Sequence, residues 1–325
     1  MIDRNDKIEV IHPKLTGEFQ CLADKCPATC CCGWSIIWTE KEVQKLKDSR
    51  YSDALSDKIQ TAFDSESYYL PIKIDENGCC PFLENGLCII HKELGQDYLS
   101  YTCREYPRIK RLIGNMAVYT CRMTCYAVAE KLLCDKNCMQ LEVSYENDLT
   151  AIITTEKEVE IRNHIFRTLQ PVIWSDEPYL QLIKVADKFG IRRDKEDTAS
   201  LTEVFRCIFG WDIIVDKENN NTDADTFVYK NVIRALFLEW SVNGIDIDLS
   251  LADNFCCFCM LAASARLALL GLTGMKLSKE ELINSFCDFI SGLLSDKECY
   301  KIISRYLINN NLNNIYFLES ILELI

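Results

Sequence analysis

Cys21, Cys26, Cys30, Cys31, Cys32, Cys79, Cys80, Cys88, Cys103, Cys121, Cys125, Cys134 and Cys138 put thirteen of the chain's 19 cysteines ahead of residue 139. Soft thiolates at short, uneven intervals are the ligands of zinc and of iron–sulfur clusters, so the enrichment points to a metal centre in the front part of the chain. Zinc draws its thiolates from Cys-x2–4-Cys pairs, and adjacent cysteines rarely serve one ion because their side chains diverge. Cys30 and Cys31 are therefore expected to face different places or to span a larger cluster. A [4Fe–4S] cube takes four thiolates from scattered loops and tolerates such spacing better.

Short elements must position these sulfurs. Thr39-Glu40-Lys41-Glu42 is a capping box that opens a helix through about Arg50. Gly78, Pro81 and Gly86 put Cys79, Cys80 and Cys88 on a turn-rich loop. His91–Ser100 reads as a short helix, Pro107 as a break, and Thr124–Leu133 as another helix. From Leu141 onward apolar residues recur every three to four positions, predicting helices over Glu158–Leu169, Pro178–Phe189, Leu201–Phe209, Thr226–Trp240 and Leu251–Leu270. Ser278 with Glu281 and Ser295 with Glu298 form two more capping boxes, and Asn219–Asn221 is a polar loop. Gly271 and Gly274 follow a helix, not a strand, so they end it and cradle no nucleotide. The expected architecture is mainly α: a cysteine-rich, metal-nucleated unit over 1–138, then a helical unit over 139–325.

Composition narrows the class. The chain has 325 residues, 48% of them apolar, with only 12 Gly and 7 Pro, a balance that favours helices over an all-β fold. Net charge is −13, and it is uneven. Residues 1–140 hold 18 Lys+Arg against 20 Asp+Glu, whereas the remainder holds 18 against 29. An acidic helical half argues against nucleic acid, which needs a basic footprint. Met1–Pro13 is charged and lacks a signal-peptide pattern, and the apolar run Phe255–Leu272 is interrupted by Arg266, reading as a buried helix and not a membrane span. A cytoplasmic, reducing compartment is expected, where disulfides are unfavoured.

A second group of motifs is more specific. Cys80-Pro81-Phe82-Leu83 leads to Cys88, and Cys103 is followed by Tyr106-Pro107-Arg108. Together with Cys21, Cys26, Cys30, Cys31, Gly33, Trp34 and Cys125, these residues resemble the flagellin lysine-N-methylase family, FliB. That family lies within a group of zinc- or iron-chelating domains bearing a Cys-x2–3-Cys-x3-Cys-Cys signature. The resemblance implies S-adenosylmethionine-dependent methylation of flagellin lysines by a protein-lysine N-methyltransferase holding a [4Fe–4S] cluster, with zinc as the alternative metal. Carried over by position, its thiols are Cys21, Cys26, Cys30, Cys31, Cys80, Cys88, Cys103 and Cys125, twice what one cube needs. Cys32 and Cys79 depart from the pattern by doubling their neighbours, and Thr124-Cys125-Tyr126-Ala127 stands where the family reads Ser-Cys-Pro-Glu, with Cys121 as a competing alignment. Gly33 occupies the third position of a Cys-x3-Cys-x2-Cys run begun by Cys26 and Cys30, so the radical S-adenosylmethionine motif is absent.

Arg104, Arg108, Lys110, Arg111 and Arg122 cluster along the chain near Cys103 and Cys121. They offset the charge of a thiolate-ligated cluster or, through Arg104 and Arg108, clamp the carboxylate of S-adenosylmethionine. A cluster with three protein thiolates and one open corner would anchor that cofactor. His91 is expected to be a helix-start residue, Trp34 and Trp38 to pack, and Cys256, Cys257 and Cys259 to be inert core thiols. Glu105, Tyr106, Asp97 and Tyr101 lie near the motifs, and none is assigned as catalytic.

Overall fold

The computed structural model describes residues 7–34, 36–63, 69–113, 116–146, 155–193, 201–209, 226–294 and 297–323. Ser295, the capping residue of the Ser295–Glu298 box, and the Asn219–Asn221 loop lie outside them. Eight strands are present among the described residues: β1 (Ile8–Pro13), β2 (Ile37–Thr39), β3 (Tyr69–Pro71), β4 (Leu83–Glu84), β5 (Leu87–Cys88), β6 (Arg108–Ile113), β7 (Met116–Cys121) and β8 (Leu141–Glu146). The helices of the front part are α1 (Lys14–Gly17), α2 (Glu40–Lys47), α3 (Ser52–Ala62), α4 (Ile89–Leu94), α5 (Tyr101–Glu105) and α6 (Tyr126–Cys134). Those that follow are α7 (Glu156–Ile173), α8 (Pro178–Val185), α9 (Leu201–Phe209), α10 (Thr226–Asn243), α11 (Leu251–Thr273), α12 (Lys279–Leu294), α13 (Lys297–Asn309) and α14 (Ile315–Glu323). The fold is mainly α, as its composition led us to expect.

The chain divides into two compact units, Gln20–Arg108 and Met1–Phe19 with Ile109–Ile325. The division expected at residue 138 falls elsewhere because β1 belongs with later strands. It runs parallel to β7, with Val10 opposite Ala117, and antiparallel to β8, with Val10 opposite Ser144. The cysteine-rich unit is thus an insertion between α1 and β6, and Cys121, Cys125, Cys134 and Cys138 belong to the other unit.

In the cysteine-rich unit the predicted capping box forms. Thr39 N–H donates to Glu42 Oε2 at 2.7 Å, and Glu42 N–H to Thr39 Oγ1 at 3.3 Å. Val43 and Leu46, three apart on α2, turn into a core with Trp38, Leu55, Ile59, Phe82 and Ile90. Trp38 is 2% exposed and its ring lies 5.6 Å from Phe63 and 6.3 Å from Phe82. β4 and β5 form a hairpin across Asn85-Gly86, both at positive φ (50° and 78°), the pairing that a two-residue turn between twisted strands demands. The helix expected over His91–Ser100 is instead the end of α4 and a 3-10 turn at Gln96–Tyr98, because Gly95 breaks it at φ 87°.

The other unit packs helices on a four-stranded sheet of order β6-β7-β1-β8. At its centre α11 buries Phe255 through Ala265 against α10, α12, α13 and α14. It is the helix, among the described residues, long and apolar enough to cross a membrane, yet its apolar surface is spent on its neighbours. Cys256 and Cys259 are fully buried there, and burial pushes both thiols well up, as expected of inert core cysteines. Two polar locks hold the helices. Glu158 accepts from Arg111 Nη1 and from Arg162 Nε, each at 2.7 Å. Glu239 on α10, fully buried, accepts from Arg122 Nη1 at 3.1 Å and from Met123 N–H at 3.2 Å. Arg111 and Arg122 are therefore structural cations of this unit.

Candidate metal centre

Four of the eight expected thiols form a mutual set. Cys31, Cys80, Cys88 and Cys103 all lie within electrostatic reach of one another. Burial first, then the charges of Cys31, Cys88 and Cys103, push the Cys80 thiol up to about 12. Burial first, then Cys88 and Cys31, push Cys103 up to about 11, with Glu42 adding to it. Cys88 is raised by burial and by Cys31. Every pair among the four thus interacts electrostatically. Among the described residues no three Cys, His, Asp or Glu side chains are already drawn in around a single point to hold an ion, so the four are neighbours and not a closed cage.

Local structure brings them there. Cys31 and Cys80 sit on facing strands of a short antiparallel crossing, where Cys80 N–H donates to Cys31 O at 2.7 Å and Gly33 N–H to Gly78 O at 2.9 Å. Cys88 closes the β4–β5 hairpin and stands at the N-cap position of α4. Cys103 lies on α5, whose N-cap Ser100 takes the Cys103 N–H at 3.1 Å.

Each sulfur also receives a hydrogen bond that favours the thiolate. Backbone N–H groups of His91 and Ile90 are directed at Cys88, that of Phe82 at Cys80, and Ser100 serves Cys103. Such donors stabilise a ligating sulfur and fix its direction. His91 contributes through its backbone, and it is the third residue of α4, which begins two residues earlier than expected, at Ile89.

Cys30 plays a different part. Its S–H donates to the Cys31 sulfur, and this, with Thr29 assisting, outweighs burial and holds Cys31 down at about 7. Cys30 itself is raised, first by that bond and then by burial and by Cys31, Cys103 and Cys21. Cys30 is exposed whereas Cys31 packs on the core, so the pair diverges in environment while the two sulfurs stay bonded. Cys21 is exposed and takes the Ala23 N–H at 3.4 Å, and Cys26 is half-buried at the end of a 3-10 turn. Cys125 belongs to the sheet-and-helix unit, at the N-cap position of α6, and Cys121 is buried in β7.

One expectation is overturned. Cys32 and Cys79 form a disulfide, with Cα atoms 4.0 Å apart, although disulfides were not expected. The reason is local: they face each other across an isolated antiparallel bridge. The remaining described cysteines of the front half form no disulfide.

Around the set, Trp34 is 39% exposed, its Nε1–H donates to Cys30 O at 2.9 Å, and its ring lies 6.0 Å from Tyr106. Arg104 is exposed, pairs with Glu105 at 3.5 Å and lies over Tyr101. Arg108 is half-buried at the start of β6. Glu42 was legible as a capping residue, but its second contact was not. Its Oε1 accepts the Tyr101 N–H at 2.7 Å, so the cap of α2 also holds the helix that carries Cys103.

Four mutually interacting thiols carrying N–H donors make this a cysteine-rich protein with a candidate metal-ligating set. Comparison with known proteins narrows the class. The chain is 31% identical over 140 residues to the flagellar biosynthetic protein FliU of Salmonella muenchen, a match covering 42% of this chain and 83% of that protein. It is equally 31% identical over 140 residues to the lysine-N-methylases of Salmonella typhimurium and Salmonella choleraesuis, spanning 35% of each. The chain belongs to this FliU and lysine-N-methylase family, the one its cysteine pattern resembles. No family profile and no solved structure matches it.

Proposed function

We propose that this chain is an S-adenosylmethionine-dependent protein-lysine N-methyltransferase acting on flagellin, working in the cytoplasm, with a [4Fe–4S] cluster on Cys31, Cys80, Cys88 and Cys103. The observation that supports the metal centre is that each of those four thiols feels the charge of the others, with N–H donors directed at the sulfurs. The support for the activity is family membership: two relatives are named lysine-N-methylase, and one is a flagellar biosynthetic protein. The donor set suits an iron–sulfur cube, and four thiolates with aligned N–H donors suit zinc as well.

Four protein thiolates leave no open corner. We therefore read the cluster as a scaffold, in place of the cofactor anchor expected with three ligands. When bound, the cluster supplies a rigid crosslink between loops. Methyl transfer itself is a displacement: the neutral lysine amine forms the N–C bond as the C–S bond of the sulfonium breaks, leaving a thioether. The ammonium, with an ordinary pKa of about 10.4, must first lose its proton to solvent or a base, and alignment of amine, methyl and sulfur supplies much of the acceleration. Arg104 and Arg108 are the cations offered to the cofactor carboxylate.

Incubating the iron-loaded chain with flagellin and labelled S-adenosylmethionine tests this reading. Label on flagellin lysines is the expected result, and no transfer by protein that binds the cofactor sinks it. The match spans 35% of each lysine-N-methylase, which favours a second reading, a non-catalytic zinc- or iron-chelating module. Metal-loaded protein without affinity for S-adenosylmethionine would establish that one.

A further inference from the structure

The segment that carries Cys31 is weakly held by its own packing. None of the described residues Cys21–Trp34 is buried, and its regular structure is one 3-10 turn, Ala23–Lys25. The facing loop is firm. Asp75 Oδ1 accepts from Asn77 N–H at 2.9 Å and from Cys79 N–H at 2.8 Å, while Asp75 N–H donates to Cys79 O at 2.8 Å. Between the two, Cys32 and Cys79 sit opposite each other, flanked on either side by the backbone bonds of Gly33 to Gly78 and of Cys80 to Cys31. This is a non-hydrogen-bonded antiparallel position, where facing side chains come closest. Each cysteine of the disulfide is the chain neighbour of a member of the coupled set, Cys31 or Cys80.

We infer that Cys32 and Cys79 are a redox-modifiable clamp that, when closed, fixes Cys31 against Cys80 and slows the loss of metal from the four-thiol centre. The inference rests on the metal reading above for its consequence, but not for the crosslink. Closing the clamp joins the two sulfurs as their thiols give up two protons and two electrons. A small disulfide of the glutathione class accepts them through a mixed disulfide and leaves as two thiols. Opening is the reverse, with a dithiol reductant taking up the S–S bond. An open clamp leaves the Cys31 segment on its backbone bonds.

The test uses the full chain in two arms. In the first, free thiols are alkylated without reductant and the digest is searched for a linked peptide pair. The pair is expected in the wild type and in Cys31→Ser, and absent from Cys32→Ser and Cys79→Ser. A wild-type digest lacking it overturns the crosslink. In the second, the protein is loaded with zinc and release to a chelator is timed before and after treatment with a dithiol. Release is expected to speed up by about tenfold on reduction. The Cys32→Ser/Cys79→Ser variant should release at the fast rate with or without reductant. Equal rates for oxidised and reduced wild type overturn the clamp, and so does a double variant that binds no zinc, which would make one of the pair a ligand. Wild type that binds neither zinc nor iron overturns the metal reading and the clamp's role together, whereas the linked peptide is judged on the first arm alone.

Discussion

Metal binding at the four-thiol set should be steeply coupled to pH, and the slope follows from the protonation states. Cys80, at about 12, Cys103, at about 11, and the raised Cys88 all carry protons at neutral pH, whereas Cys31, at about 7, is largely ionised by pH 7.5. A metal ligates thiolates only, so binding at pH 7.5 must expel about three protons, and apparent affinity should rise by about three decades per pH unit. The sign is fixed. The free site holds the protons and the loaded site does not, so acid favours release. At pH 6.5, where Cys31 is mostly protonated, the slope should steepen toward about four. Zinc titrated against a competing chelator at pH 6.5, 7.0, 7.5 and 8.0, corrected for the chelator's own protonation, measures it, and proton release into weak buffer checks it directly. A slope of one or less would refute the reasoning, because it would mean that at most one of these sulfurs gives up a proton on ligation.

Three further outcomes are expected. Glu42→Ala removes a cap and the Tyr101 anchor together. It should cost about 1–2 kcal/mol in chemical denaturation and weaken zinc retention, while Thr39→Ser changes neither. Glu158→Gln leaves Arg111 and Arg162, with side chains 10% and 4% exposed, without their shared anion. A loss of about 3–5 kcal/mol and a melting shift on the order of 10 °C should appear by calorimetry. Burial raises the Glu239 carboxyl above its ordinary value, against the pull of Arg122. Its contribution to stability is fully present below that ordinary value, near pH 4.3, and is lost as pH rises through the raised one. Glu239→Gln should therefore gain on the wild type between pH 5 and 8 in urea unfolding curves, and parallel curves would count against the assignment.

The capping boxes at Thr39 and Ser278 were legible because their chemistry is local: a hydroxyl and a carboxylate three residues apart reach each other's backbone N–H. The helical half was legible for the same reason, since its apolar stripes repeat within each segment. The sheet was not. Ile8 and Val10 alternate as a strand should, yet their partners lie more than a hundred residues away in β7 and β8, and a short alternating run does not disclose a distant partner. The unit boundary near residue 138 failed with it, because β1 draws the N-terminus into the later unit. The list of candidate thiols was readable, but the choice among them was not. Cys31, Cys80, Cys88 and Cys103 are separated by long intervals that only the crossing at Cys31–Cys80, the Asn85-Gly86 turn and the Ser100 cap bring together. Cys32 and Cys79 looked like duplications of their neighbours, and their pairing depends on register, which spacing does not encode.

Anaerobic reconstitution with iron and sulfide, followed by iron counting and visible absorbance on single serine variants, tests the metal centre most directly. Cys31→Ser, Cys80→Ser, Cys88→Ser and Cys103→Ser should each lose most of the iron and colour. The wild type, Cys21→Ser, Cys26→Ser, Cys30→Ser and Cys125→Ser should keep about four irons per chain. Full colour in any two of the first four variants, or a colourless wild type that takes up neither iron nor zinc, would contradict the assignment.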